Sequence, residues 1–207
     1  MGNVLIQKLF ESFKKDTKIV AYARFNQSKR LSRKSWWSLF SISAISFSLI
    51  LISIGEKFFQ LEEISPLLFF KVAMPSWVFS VFCSIAILAL SIAISSSKVE
   101  VKYEKITTSA IKINKISREL ELELELGGTD VDRYKSLLCE YNSSLMSDQT
   151  NHDDIDYTIA RLSLNKKNFF QYYYNFYIKQ YVEIFPYFLI TFISLGAIFS
   201  VLEKIIL

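Results

Sequence analysis

The stretch SLFSISAISFSLILISI, residues 38–54, is the clearest indication in the sequence of how the chain folds. It lies inside an uncharged run of 21 residues (35–55), and two more uncharged runs follow, of 26 residues (72–97) and 19 residues (184–202). A helix needs about 20 mostly apolar residues to cross a hydrocarbon core of about 30 Å. The sequence therefore predicts three transmembrane spans, near residues 37–54, 77–95 and 185–202. Three buried helices of a soluble core are the weaker interpretation of such runs.

Composition excludes several classes of protein. The chain of 207 residues is 51% hydrophobic and 21% charged, so it is not a disordered chain of low hydrophobicity. Two cysteines, Cys83 and Cys139, cannot build a disulfide framework, and the single His152 cannot build a histidine metal site. We expect no cofactor and no metal. No nucleophile–base pair or phosphate loop is recognisable in the sequence, so we expect no enzyme.

Flanking charge predicts the orientation of the spans. Residues 1–36 contain nine Lys or Arg against Glu11 and Asp16, whereas the loop after the first span contains only Lys57 and Lys71. Basic flanks stay cytoplasmic, so the N-terminus is expected on the cytoplasmic side of the membrane. A retained anchor fits better than a signal peptide, because the apolar run is too long and no A-x-A-type site follows it.

The predicted domains are an N-terminal helix (1–34), a transmembrane hairpin (35–97), a cytoplasmic helical region (98–182) and a C-terminal span with its tail (183–207). In the N-terminal helix an apolar stripe alternates with lysines. It could lie on the inner leaflet or pack on the cytoplasmic helices, and both interpretations stay open. The stripe consists of Val4, Leu5, Leu9, Phe10 and Phe13.

The cytoplasmic region reads as helices. Apolar residues from Tyr103 to Leu124 recur at steps of three and four, which predicts that the second span continues as one helix of about 45–50 residues. The run ELELELEL (119–126) alternates like a strand, but its leucines continue the helical stripe and Gly127 then ends it. Thr129 or Asp130 can cap a second helix, and a loop covers residues 147–151.

The stretch NHDDIDY, residues 151–157, is expected to begin a third cytoplasmic helix. Its carboxylates suit the positive end of a helix dipole, which favours a capping role. His152 with the aspartates could instead bind a metal, although no second His or Cys completes a set.

Aromatic residues crowd positions 169–188, just before the third span. Such density is typical of the membrane–water interface. Base stacking on single-stranded nucleic acid is the alternative, but only Lys179 lies among the rings. We therefore expect no direct binding of nucleic acid.

Small residues follow one side of the second span. Five serines fall within roughly 100° of one another on a helix. They could line a water-filled path or allow helices to pack closely, and we expect contacts between copies in a homo-oligomer. No ionisable residue lies mid-span, which disfavours a proton relay. These candidate pore-lining or packing residues are Ser76, Ser80, Ser84, Ser91 and Ser95.

Four features together resemble the bacterial SLATT family of membrane effector domains. They are ARFN (23–26) with the basic run before the first span, two closely spaced spans, a long helix ending in ISREL (116–120), and NHDDIDY beyond it. The resemblance covers roughly residues 15–165, and the third span exceeds the family's two-span plan. The residues expected to form a cytoplasmic hub are Arg24, Asn26, Asn151, His152, Asp156 and Tyr157.

The resemblance implies an all-α membrane effector of antiviral conflict systems. Such effectors are encoded beside sensor partners, nucleotidyltransferases or reverse transcriptases, and are thought to form pores or to disrupt the inner membrane, which kills or arrests the infected cell. The alternative hypothesis is a non-conducting membrane scaffold that recruits a soluble partner through its cytoplasmic helices. Membrane permeability separates the two.

Overall fold

The computed structural model describes residues 2–67, 73–127, 129–147, 153–165 and 169–206. Helices account for nearly all of them, and three helical stretches are long and apolar enough to cross a membrane. The predicted all-α membrane protein is thereby confirmed. In chain order the helices are α1 (Gly2–Phe59), α2 (Ser76–Ser97), α3 (Val99–Glu125), α4 (Val131–Ser147), α5 (Asp154–Asn165), α6 (Phe169–Tyr173), a π-helix (Tyr174–Lys179), α7 (Gln180–Val182) and α8 (Phe185–Ile206).

The chain forms two compact units. The first, here called the polar unit, comprises Met1–Ser32 and Glu100–Gln180. The second, here called the apolar unit, comprises Arg33–Val99 and Tyr181–Leu207. Helix α1 contributes residues to both units.

The apolar unit packs α1, α2 and α8 around one hydrophobic core, in which Ile45, Ile52, Phe79 and Val201 are buried. Polar contacts add to this packing because hydroxyls buried away from water need partners. The hydroxyl of Ser41 on α1 donates to the Tyr187 carbonyl oxygen on α8 at 2.8 Å.

Between α1 and α2 the chain forms a two-stranded antiparallel ribbon that the sequence pattern did not predict. Its strands are β1 (Glu63–Ile64) and β2 (Met74–Pro75), each only two residues long. Gly55 packs closely beside the ribbon: a Cβ atom there would lie 2.9 Å from Leu61 Cδ2, so the Leu61 side chain would have to shift. So short a ribbon leaves no periodicity for a pattern to reveal.

The polar unit packs the N-terminal part of α1 against α3, α4 and α5. Phe10 and Phe13 are buried with Leu120 and Leu137, and Tyr134 lies edge-on to Phe10 with the ring centroids 5.2 Å apart. These two phenylalanines therefore pack on the protein's own helices, whereas Val4, Leu5 and Leu9 remain exposed.

The sequence signals at helix ends are visible in this unit. Helix α3 stays helical through the alternating ELELELEL run to Glu125, and Gly127 follows it with φ of 102°. The Asp130 carboxylate accepts the backbone N–H of Asp132 at 2.9 Å, and thus caps α4.

Two helix boundaries differ from the sequence expectation. Helix α1 continues through residues 34 and 35, so the N-terminal helix and the first span form one helix of 58 residues. The expected single helix after the second span is interrupted instead: α2 ends at Ser97, and Lys98 adopts a left-handed conformation with φ of 48°. Three consecutive serines, weak helix formers, precede Lys98 and favour a break there.

Candidate functional site

A belt of buried polar side chains lies inside the polar unit, where a core of this size would ordinarily be apolar. Arg24 and Arg30 are each only 4% exposed, and Asp156 is fully buried. Because buried polar groups cost free energy unless they are hydrogen-bonded, the hydrogen bonds and ion pairs of these side chains are important for stability. This polar belt comprises Arg24, Gln27, Ser28, Arg30, Ser109 and Asp156.

Arg30 joins α1 to the start of α5. Its Nη2 donates to Asp156 Oδ2 at 2.9 Å and also contacts the carboxylate of Asp153. Asp153 immediately precedes α5, and its carbonyl oxygen accepts the backbone N–H of Asp156 at 3.0 Å. One guanidinium thus holds two carboxylates of the same turn, which fixes the first turn of α5 against α1.

Arg24 and Ser28 join α1 to α3. The Arg24 guanidinium donates to the Ser109 hydroxyl. One turn further along, the hydroxyls of Ser28 and Thr107 lie 2.6 Å apart in a hydrogen bond. The belt therefore ties α1 to two other helices by contacts that depend on geometry more strictly than apolar packing does.

Tyr141 on α4 lies beside this belt. Burial raises the pKa of its phenol, and the positive charge of Arg24 partly opposes that rise. Its ring also meets Phe13 edge-on, with centroids 5.4 Å apart. The Tyr141 ring therefore packs on the apolar cluster, while its phenol lies within the electrostatic influence of the belt.

The structure places the predicted hub residues at different depths. Arg24 and Asp156 are both in the belt, where Arg24 donates to Ser109 and Asp156 accepts from Arg30. Tyr157 is half-buried against Ile19 and Ala160, and Asn26 is half-buried.

Two other predicted hub residues, Asn151 and His152, lie outside the described residues. Whether the six residues act together as a functional hub stays a prediction.

Sequence reasoning missed Arg30, whose charge was assigned to the basic membrane flank. A signal for it exists: Phe13, Thr17, Ala21, Arg24 and Gln27 follow steps of three or four along one buried face of α1, and Arg30 continues them. Extending the buried stripe across polar residues would have placed Arg30 inside.

The serines of α2 divide by position. Ser76 is buried and donates to the Leu61 carbonyl oxygen at 3.0 Å, so it packs within the chain. Ser80 is half-buried, and Ser84, Ser91 and Ser95 are exposed. In the most apolar segment of α2 only 11% of the residues are buried, against 39% in the corresponding segment of α1. This helix therefore has the least coverage by its own chain.

The described residues contain no group of three or more His, Cys, Asp or Glu side chains placed to hold a metal ion. The carboxylates of Asp153 and Asp156 are instead engaged by Arg30. The metal-ligand interpretation of the aspartates accordingly has no support in this part of the chain, although His152 lies outside it.

No curated protein and no solved structure matches the chain. A family model described as SMODS and SLOG-associating 2TM effector domain family 5 matches residues 6–201. The match is longer than the resemblance inferred over residues 15–165, and it takes in most of α8. The chain therefore belongs to the SLATT family of membrane effector domains.

Proposed function

We propose that this protein is a membrane effector of a bacterial anti-phage defence system, which oligomerises and opens a pore in the inner membrane when an associated sensor signals infection. Loss of the membrane potential would then kill or arrest the cell. Membership of a membrane effector family supports the first part of this proposal. The pore is argued from α2.

The proposal of a pore is supported by the exposed serine edge of α2. Ser84, Ser91 and Ser95 are exposed, and they lie within about 40° of one another round the helix. Hydroxyl side chains on an otherwise apolar helix suit a neighbouring helix or a water-filled path better than lipid. Copies of the chain arranged around this edge would line a polar lumen.

The polar unit is proposed to lie in the cytoplasm and to receive the signal. The nine basic residues of positions 1–36 support that orientation. In this mechanism the signal shifts a population between closed and open arrangements, and the polar belt is the element with two alternative arrangements. A buried polar network suits such a switch because an unpaired polar group inside the protein is costly.

A non-conducting scaffold is the second candidate, and one observation favours it. The Ser84 hydroxyl donates to the Ser80 carbonyl oxygen of its own helix at 2.9 Å. Such a serine needs no lumen and no neighbour, and it can face lipid at little cost. A scaffold would recruit a soluble partner through the polar unit and leave the membrane sealed.

Reconstitution separates the two candidates. Purified protein in liposomes loaded with a potassium gradient should release potassium once the native sensor partner and its activating signal are added. Liposomes that stay sealed with an activated partner demonstrably bound would support the scaffold and contradict the pore.

A further inference from the structure

A cavity of about 620 Å³ lies in the polar unit between α1, α3 and α5, away from the polar belt. Its volume falls in the range of small-molecule sites in proteins, about 300–1,000 Å³. One wall is a stripe of α1 that carries Lys14, Lys15 and Lys18. Leu124 of α3 and Leu164 of α5 add apolar surface to its lining.

The lysines of this cavity already hold one anion. Lys14 Nζ lies 2.7 Å from Glu121 Oε1, on the α3 side. The pKa of the Glu121 carboxyl is lowered, first by the hydrogen bond and charge of Lys14 and further by the charges of Lys18 and Arg118. The field at this point therefore favours negative charge.

Two of the three lysines lie outside the ion pair with Glu121. Within the described part of the chain, neither Lys15 nor Lys18 forms an ion pair. Two ammonium groups one turn apart can contact one phosphate group, or neighbouring phosphates, as point charges. Glu11 and Glu125 also line the cavity, and their carboxylates can only accept hydrogen bonds. A ligand that fits all of these groups carries phosphate together with N–H or O–H donors.

We propose that this cavity binds a phosphate-bearing small molecule, whose phosphate displaces Glu121 from Lys14 and whose donor groups reach Glu11 and Glu125. This proposal rests on the proposed function, for which it names the chemical class of an activating ligand. Displacement of Glu121 would remove the ion pair between α1 and α3. Ligand binding would in this way change how α1 is held in the polar unit.

Calorimetry on the full-length protein in phosphatidylcholine nanodiscs tests the site. The probes are ATP, inorganic pyrophosphate and adenosine, which separate the phosphate from the donor groups. ATP should bind more tightly than pyrophosphate, and adenosine least tightly. A wild-type protein that binds neither ATP nor pyrophosphate below about 10 mM, or that binds adenosine as tightly as ATP, would overturn the site as a pocket for a soluble ligand.

Variants identify the groups responsible. The double variant Lys15→Gln/Lys18→Gln should lose about tenfold or more in affinity, whereas Lys29→Gln, an exposed lysine of α1 outside the cavity, should bind like the wild type. Glu121→Gln should bind more tightly because the competing carboxylate is gone. Equal losses in the double variant and in Lys29→Gln would reduce the effect to general surface charge and overturn the proposal.

A second arm distinguishes a lipid phosphate from a soluble one. In this arm the protein is placed in nanodiscs that contain phosphatidylglycerol, without soluble probes, and the lipid that stays bound to the protein is measured. Lipid retained through Lys15 and Lys18 would show that the phosphate comes from a headgroup. If the double variant no longer retains this lipid while the wild type does, the phosphate site is supported. If the wild type retains no lipid and binds no soluble probe, the site is overturned. Potassium release without ligand binding would refute this site only, and binding without any release would refute the pore only.

Discussion

The Nη2 atom of Arg30 lies 2.9 Å from Oδ2 of Asp156, and both side chains are almost completely removed from solvent. The two residues are 126 positions apart in sequence. Breaking a buried ion pair by removing one partner costs about 3–5 kcal/mol, because the remaining charge stays buried. The free-energy cost of removing one partner therefore reports how strongly this pair holds α5 on α1.

The first prediction concerns Asp156→Asn. Because Asp153 still contacts the guanidinium, we expect a loss near the lower end of that range, about 3 kcal/mol in the free energy of unfolding. Chemical unfolding of the purified protein in detergent, followed by circular dichroism, measures it. Asp154→Asn is the matched control, since Asp154 is exposed in the same turn and should cost less than about 1 kcal/mol. Equal losses would show that the belt does not hold α5.

The second prediction separates the two fates of the N-terminal apolar stripe. Phe13 is 7% exposed and Leu5 is 64% exposed. Phe13→Ala should destabilise the protein by about 3–5 kcal/mol through the cavity it leaves. Leu5→Ala should change stability by less than about 0.5 kcal/mol. If Leu5→Ala were as costly as Phe13→Ala in the same unfolding assay, Leu5 would have to be buried.

The third prediction uses the native cysteines as reporters of orientation. Cys139 is exposed in the polar unit, whereas Cys83 is buried in the apolar unit. If the polar unit lies in the cytoplasm as proposed, a membrane-impermeant maleimide should leave Cys139 unmodified in intact spheroplasts and modify it after lysis. Cys139→Ser is the control for the site of labelling. Modification of Cys139 in sealed spheroplasts would reverse the proposed orientation.

The fourth prediction follows from Tyr141. Burial raises the pKa of its phenol above the ordinary value of 10.0, so the unfolded chain releases this proton at a lower pH than the folded chain does. The folded state then loses stability as the pH rises through about 10. Tyr141→Phe should show a smaller loss of thermal stability between about pH 8 and 11 than the wild type. Parallel curves for both proteins would mean that Tyr141 does not contribute to the alkaline loss.

Local patterns in the sequence were sufficient for much of the fold. The uncharged runs located the apolar helices, Gly127 marked the end of α3, and Asp130 marked the start of α4. Each of these signals acts within one or two helical turns, so neighbouring residues are enough to recognise it.

Some of the missed features are very short, and others depend on distant contacts. The β1–β2 ribbon is too short for a pattern, and the break at Lys98 depends on one backbone conformation. Arg30 was counted among the flanking charges, and Asp156 was expected to cap a helix and to join the hub, but nothing in the local sequence reveals that these two residues meet. Family resemblance identified the class of protein, but the partners inside the belt became visible only in three dimensions.

The pore itself is tested most directly by membrane potential during infection. Bacteria carrying the native neighbouring genes are challenged with phage, and a voltage-sensitive dye is followed in cells with matched protein levels in the membrane. The comparison is between the wild type, Ser84→Leu and the control Ser96→Leu, an equal change at an exposed serine about 120° away round α2. We expect rapid depolarisation in the wild type and in Ser96→Leu, and its loss in Ser84→Leu. Membranes that stay polarised in all three strains while infection is still blocked would contradict the pore.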